Sequence, residues 1–248
     1  MEPRSTEGIV LRRREFTESS FLVDFITPDW GCLKTIAKGA RRPESRFRGR
    51  LELFNRGRLI FYPSRRTDLH LLGQFDPFQV CAAPGATLER AAYFYYLAEL
   101  ILASGYGAET GKGLFALMKR ELERAPAIGR VASRQIRFEI DFLQVLGVFP
   151  PLQTCGRCQG PTSPRLYFSP SSRTWICPSC RRSESGAVFI QEGVRAMINH
   201  ILEGEQRAAS VIMSSAQEKI LGRLCRHLVD INLGKKIKSL AFLQRVIA

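Results

Sequence analysis

Histidine is scarce in this chain: His70, His200 and His227 are the only three, and each stands alone. No H-E-x-x-H pair and no G-x-S-x-G turn organises them, so neither a zinc-protease helix nor a serine-hydrolase elbow is encoded. Long apolar runs are missing as well. No stretch of about 18 apolar residues exists to span a bilayer. The opening M-E-P-R-S-T-E-G lacks the basic-then-apolar order of a signal peptide. On these grounds a cytoplasmic protein is expected. Acid is also in short supply, with 23 Asp and Glu against 37 Lys and Arg. Asp24, Asp29, Asp68 and Asp76 are scattered, without the pairing that a two-metal nuclease uses. No catalytic centre is expected, and a nuclease is the weakest alternative.

What the chain does have is positive charge, a formal net of +14 in 248 residues. Charge of this size speeds encounter with polyanions, nucleic acid first and an anionic membrane surface second. Hydrophobic residues make up 45% of the chain, enough for a core, and the length allows one large domain or two to three small ones. The charge is densest between Lys34 and Arg50. There Lys34, Lys38, Arg41, Arg42, Arg46, Arg48 and Arg50 face the single acid Glu44. Gly39, Pro43 and Gly49 rule out a long helix, so a flexible basic loop beside a strand is expected. Such a loop suits nucleic acid, because each cation held near a phosphate releases condensed counterions. Phe47, between Arg46 and Arg48, is the first candidate for stacking on a base, ahead of Phe21, Phe25, Trp30 and Phe61.

The architecture expected is α+β. Apolar runs at 8–11, 21–26, 32–37, 51–54, 59–62 and 69–78, separated by turn residues, predict about five strands. They fit a small closed barrel of the oligonucleotide-binding (OB) kind, and an SH3-like barrel would give much the same spacing. Arg12, Arg13, Arg14, Arg56, Arg58, Arg65 and Arg66 keep this segment basic throughout. Pro84 and Gly85 mark a boundary. Beyond it the period becomes helical from Leu88, at 114–123, from Ser133 to about Leu146, at 191–202 and at 216–233, where Gly234 is a natural stop. The expected domains are a barrel at 1–82, a helical domain at 83–150 and 186–248, and a cysteine insert at 151–185. The glycine-rich Gly105 to Gly113 fails as a phosphate loop. Its first required glycine falls at Tyr106, and Gly113 stands where a hydroxyl is needed.

Seven cysteines make a poor disulfide framework for a cytosolic chain, and Cys32, Cys81 and Cys225 are read as buried thiols. Cys155, Cys158, Cys177 and Cys180 form C-x2-C-x18-C-x2-C, the spacing of a four-thiolate Zn2+ site. Two intervening residues let a tight knuckle turn both sulfurs onto one tetrahedral ion. Four cysteines leave no position open for water, so the ion would be structural. Leu166 to Phe168 and Thr174 to Ile176 are expected to pair as a hairpin between the knuckles.

Several landmarks then occur in one order. They are E-G-I-V-L-R (Glu7 to Arg12), K-G-A-R-R-P-E-S-R (Lys38 to Arg46) and R-F-E-I-D-F-L-Q-V-L-G (Arg137 to Gly147). The two cysteine pairs follow, with F-S-P (Phe168 to Pro170) between them and L-G-K-K-I-K-S-L-A-F-L (Leu233 to Leu243) after. In this combination the chain resembles the bacterial RecO family of DNA repair proteins. The resemblance implies an amino-terminal OB domain, a helical domain and a zinc-finger-like segment in a nucleoid-associated protein. It implies binding of single- and double-stranded DNA and annealing of complementary strands. It also implies action with RecR to place RecA on DNA coated by single-strand-binding protein, with RecF as a further candidate partner. Lys38, Arg41 and Arg42 map onto phosphate contacts, with Lys34 as a neighbour. Arg137 maps onto the arginine beside which the acidic, phenylalanine-ended tail of single-strand-binding protein docks. One departure is local: Arg173 and Thr174 stand where many relatives have two glycines, which strains any turn needing positive φ there. The alternative kept beside this reading is a zinc-ribbon RNA-binding or transcription factor using the same basic barrel.

Overall fold

Pairing of five β-strands rich in branched and aromatic residues closes the amino-terminal segment into a barrel in this computed structural model. The structure describes residues 2–80, 86–105, 107–125, 130–162, 165–203 and 213–247. Cys81, Pro84 and Gly85, and with them the expected boundary after residue 82, lie outside the described residues. So do Tyr106 and Pro126.

Five strands form the barrel: β1 (Arg4–Thr17), β2 (Ser20–Thr27), β3 (Gly31–Ala37), β4 (Arg56–Tyr62) and β5 (Leu69–Gln79). Their order is β1-β2-β3-β5-β4, closed by antiparallel pairing of β1 with β4, while β3 and β5 run parallel. This is the five-stranded OB arrangement. In β3, Leu33, Thr35 and Ala37 point inward and Lys34 outward. Val10, Val23, Phe25, Leu59, Phe61, Leu72 and Phe75 fill the interior, with the Phe25 and Phe75 rings 5.2 Å apart. β1 is longer than the run G-I-V-L suggests. Its charged half continues as strand because Arg12 Nε sits 2.6 Å from the buried Asp24 carboxylate of β2, with Arg14 at 3.8 Å.

The run at 51–54 is not a strand. Phe54 N donates to Val10 O and Val10 N to Asn55 O, while Phe54 adopts φ 69° and buries its ring near Phe94. Leu51 thus joins the barrel core, whereas Phe54 packs its ring against Phe94 and Tyr95.

By internal packing the chain divides into two compact units, Met1–Val131 with Lys236–Ala248, and Ala132–Lys235. The first unit adds three helices to the barrel: α1 (Leu88–Ser104), α2 (Ala108–Glu123) and a carboxy-terminal helix (Lys238–Ile247). Glu99 of α1 accepts from the backbone N–H groups of Lys238 and Ser239, supplying the N-terminal acceptor from a distant part of the chain. In the glycine-rich segment Gly105 caps the end of α1, and the part from Ala108 on is the start of α2. A Cβ on Gly111 would lie 2.6 Å from the Cα of Gly31, so glycine here lets the helix touch the barrel backbone. Gly111→Ala should therefore lower the free energy of unfolding by about 1–3 kcal/mol in a denaturant titration, the cost of overpacking a tight contact.

The second unit contains α3 (Val131–Val145, from its second residue on), a small sheet, and the helices α4 (Pro178–Arg181), α5 (Glu192–Leu202) and α6 (Ser215–Leu233). The helices are thus divided between the two units. α3 begins before Ser133, whose hydroxyl bonds the Glu218 carboxylate of α6 instead of capping its own helix. α6 carries a capping box at Ser214 and Gln217 and ends on Gly234 at φ 58°. The sheet has the order β7-β6-β8, with β6 (Leu166–Ser169), β7 (Thr174–Ile176) and β8 (Val188–Ile190). Among the described residues, no helix is long and apolar enough to cross a membrane.

Candidate nucleic-acid interface and metal centre

The segment after β3 is an ordered chain of turns, not the flexible loop its charge suggests. Backbone bonds link Arg42 N to Gly39 O, Ser45 N to Arg42 O, Arg48 N to Ser45 O and Arg50 N to Phe47 O. Ala40, Phe47 and Leu51 drop into the barrel core at intervals and leave the charged residues between them outside. Lys34, Lys38, Arg41, Arg42, Arg46 and Arg48 are all exposed.

Carboxylates sort the barrel's arginines into two groups. Arg12 and Arg14 meet Asp24, Arg13 meets Glu52, Arg50 meets Asp76, and Arg56 is held by Glu7, Gln79 and Glu123. Among the described residues, Lys34, Lys38, Arg42, Arg46 and Arg48 have no carboxylate partner. Arg41 is intermediate. Its guanidinium donates to Thr17 O at 2.9 Å and lies 3.1 Å from the exposed Glu15 carboxylate, and its backbone N donates to Ser19 O. Arg41 therefore ties the loop to the β1–β2 turn, whereas the other five keep their charge for solvent or a ligand.

Phe47 is not available to stack on a base. It is 3% exposed and belongs to the barrel core, because the turns on either side aim it inward. Arg46 lies over its ring, 5.1 Å from the centroid. The loop instead walls a cleft of about 460 Å³, with Phe21, Ala40, Phe47 and Leu51 as apolar lining and Arg13, Arg41, Arg42 and Arg48 as charged lining. Lys34, Lys38 and Arg46 stand outside it. Arg13 and Phe21 join the site only because β1 and β2 pair. Their residue types mark them as basic and aromatic, but nothing in the linear order places them beside Arg41.

The four cysteine sulfurs of the second unit all lie within 4.8 Å of one another. Cys158 Sγ and Cys177 Sγ are 3.8 Å apart, far beyond a disulfide bond of about 2.05 Å. Sulfurs bound tetrahedrally at about 2.3 Å from one ion would stand about 3.8 Å apart. The donor set therefore fits a tetrahedral thiophilic metal ion with no open position. Burial pushes the Cys155 thiol up, but the backbone amides of Cys158, Cys177 and Arg157 outweigh it and hold the group at about 6. Desolvation and the three neighbouring sulfurs push Cys180 up to about 12. Four thiolates this close together repel one another, and a cation at their centre removes that repulsion. The knuckles need their small residues. A Cβ on Gly156 would lie 2.3 Å from the Thr174 side chain, while Gly156 N donates to Trp175 O. Gln159 after the first knuckle has φ 58°, and Arg173 in the hairpin turn has φ 56°. A non-glycine residue in this left-handed region is strained, so the hairpin turn does need positive φ at Arg173.

Other candidates are accounted for by packing. His70 accepts from Ser64 N at 3.0 Å and burial lowers its pKa, while His227 contacts Pro170 O and the edge of Phe168. Cys225 is buried and its thiol is pushed up; Cys32 is half-buried. Arg137 is half-buried on α3, one turn from both Ser133 and Asp141.

Residues 1–80 match the family model described as Recombination protein O N terminal, and residues 85–241 the one described as Recombination protein O C terminal. The chain is similar to the DNA repair protein RecO of Pelotomaculum thermopropionicum, 28% identical over 246 residues, spanning 99% of this chain and 95% of the relative. The DNA repair protein RecO of Moorella thermoacetica is 25% identical over 260 residues, spanning 97% and 90%. That of a Roseiflexus species is 28% identical over 249 residues, spanning 97% and 85%.

Proposed function

This chain belongs to the RecO family of DNA repair proteins, and from that premise we propose that it is a non-enzymatic recombination mediator. It binds single- and double-stranded DNA through the barrel, anneals complementary strands, and with RecR helps load RecA onto DNA coated by single-strand-binding protein. RecF is a further partner in this reading. The observation that carries it is the row of cations on and after β3 that pair with no carboxylate among the described residues, set on an OB barrel. Lys34, Lys38, Arg42, Arg46 and Arg48 contact phosphate, and Arg41 contacts phosphate while also fixing the loop. Residues 1–82 supply DNA binding, and the helical segments dock partners. Arg137 receives the terminal carboxylate of the single-strand-binding protein tail, as a guanidinium suits bidentate pairing. Cys155, Cys158, Cys177 and Cys180 hold Zn2+ as a structural ion, and no residue of the chain acts catalytically.

Strand annealing on bare DNA, and on DNA coated with single-strand-binding protein with or without its tail, tests this reading. The chain should accelerate pairing on both substrates. Removing the tail, or Arg137→Ala, should slow only the coated one. No acceleration on bare DNA would overturn the proposal.

A further inference from the structure

We propose that the cleft beside the basic turns is a subsite for one unstacked base of single-stranded DNA, seated against the Phe21 ring. The inference rests on the reading that the surrounding cations bind phosphate. A nucleotide unites a flat apolar ring with an anionic group, and this cleft has the same two halves. Phe21 is the second residue of β2, half-buried and packed against the barrel core. The Arg13 guanidinium lies 4.9 Å from its ring centroid and is held 2.6 Å from Glu52. Arg41 lies 6.0 Å from the same centroid and is anchored on Thr17 O. A cation over a ring makes a planar platform on which a base can continue the stack.

Size supports a single base. About 460 Å³ falls within the range of small-molecule sites of roughly 300–1,000 Å³. Duplex DNA keeps its bases stacked inside, so it reaches only Arg42, Arg48 and the cations beyond. The cleft therefore adds affinity for single strands alone, and it does so without hydrogen-bond reading of the base. That matches a protein that must hold any sequence open for pairing.

The test measures affinities for a short oligothymidylate, an abasic strand of equal length and a duplex, by fluorescence anisotropy at one salt concentration. With the wild-type chain, removal of the bases should weaken binding about five- to 150-fold, the worth of one stacked base. Phe21→Leu should weaken oligothymidylate binding by a similar factor and leave duplex binding unchanged. It should also erase the difference between the thymidylate and abasic strands, while Phe21→Trp retains that difference. Equal wild-type affinity for thymidylate and abasic strands would overturn the subsite, and this arm decides even where Phe21→Leu does not fold. A difference that persists unchanged in folded Phe21→Leu would overturn it too. If Arg42→Glu with Arg48→Glu weakens both ligands in either case, the phosphate reading stands without the subsite. If that double variant changes nothing, the phosphate reading fails and the subsite falls with it.

Discussion

Reversing Lys38, Arg42 and Arg48 to glutamate should cut DNA affinity by about 100-fold or more near physiological salt and leave the fold unchanged. The expectation follows from where these side chains stand. All three are exposed and have no carboxylate partner among the described residues, so no ion pair is broken, and the one bond lost is the long, exposed one of 3.4 Å from Arg48 to Pro43 O. An exposed cation 4 Å from a phosphate is worth about 1 kcal/mol in water, so removing three such attractions amounts to about a hundredfold. Replacing attraction by repulsion adds to that. The salt dependence gives a second readout. Each cation withdrawn from a phosphate should flatten log K against log salt by about 0.7 for a single strand and 0.9 for a duplex, so three should remove roughly 2 to 3 from the slope. Arg41→Glu should behave differently. It removes the bond to Thr17 O as well as a charge, so it should lower the melting temperature along with the affinity. A folded triple variant with unchanged affinity and slope would place DNA on another surface.

The charge, the barrel and the cysteine cluster are legible in the sequence because each is written in consecutive residues or a fixed spacing. Runs of β-branched and aromatic residues mark β2 and β3 nearly to the residue, and C-x2-C-x18-C-x2-C marks the four cysteines that the fold brings together. The two departures in the loop share one cause. A segment with seven cations and two glycines reads as mobile and exposed, yet Ala40, Phe47 and Leu51 are spaced so that the turns bury them. Phe47 therefore faces inward although both its neighbours face water. Phe21 is visible in the sequence only as one aromatic among five, since its value comes from Arg13 and Arg41, brought to it by strand pairing and a loop closure. The carboxy-terminal helix escapes a linear reading for the same reason, its cap being Glu99, far away in the chain. Three-residue β8 is too short to carry a period.

Withdrawing the metal should undo the cysteine-rich part of the second unit and spare DNA binding by the barrel. The cluster around the sulfurs is small: Cys155, Ile176 and Cys177 are its buried members, with Tyr167, Cys180 and Ala187 packed against them, and the next residue along β7, Trp175, is buried against Phe149 and Phe168. Strands of three and four residues cannot hold such a segment alone, and a structural zinc ion contributes about 10–16 kcal/mol of apparent binding energy in comparable small folds. Chelation, or Cys177→Ser, should therefore expose the amides of Gly156 and Tyr167 to fast hydrogen exchange and abolish the near-ultraviolet signal of the fully buried Trp175. Acid should act in the same direction. The folded, metal-bound state holds its thiols deprotonated and the released state takes protons up, so stability rises with pH and is lost as pH falls. Gly156→Ala should weaken metal retention without touching a ligand, because its methyl group would collide with Thr174, and Thr174→Gly should restore it. Single-strand affinity should change little in all these cases. A metal-free chain whose Trp175 environment and amide protection persist would show that the four sulfurs are held together by packing alone.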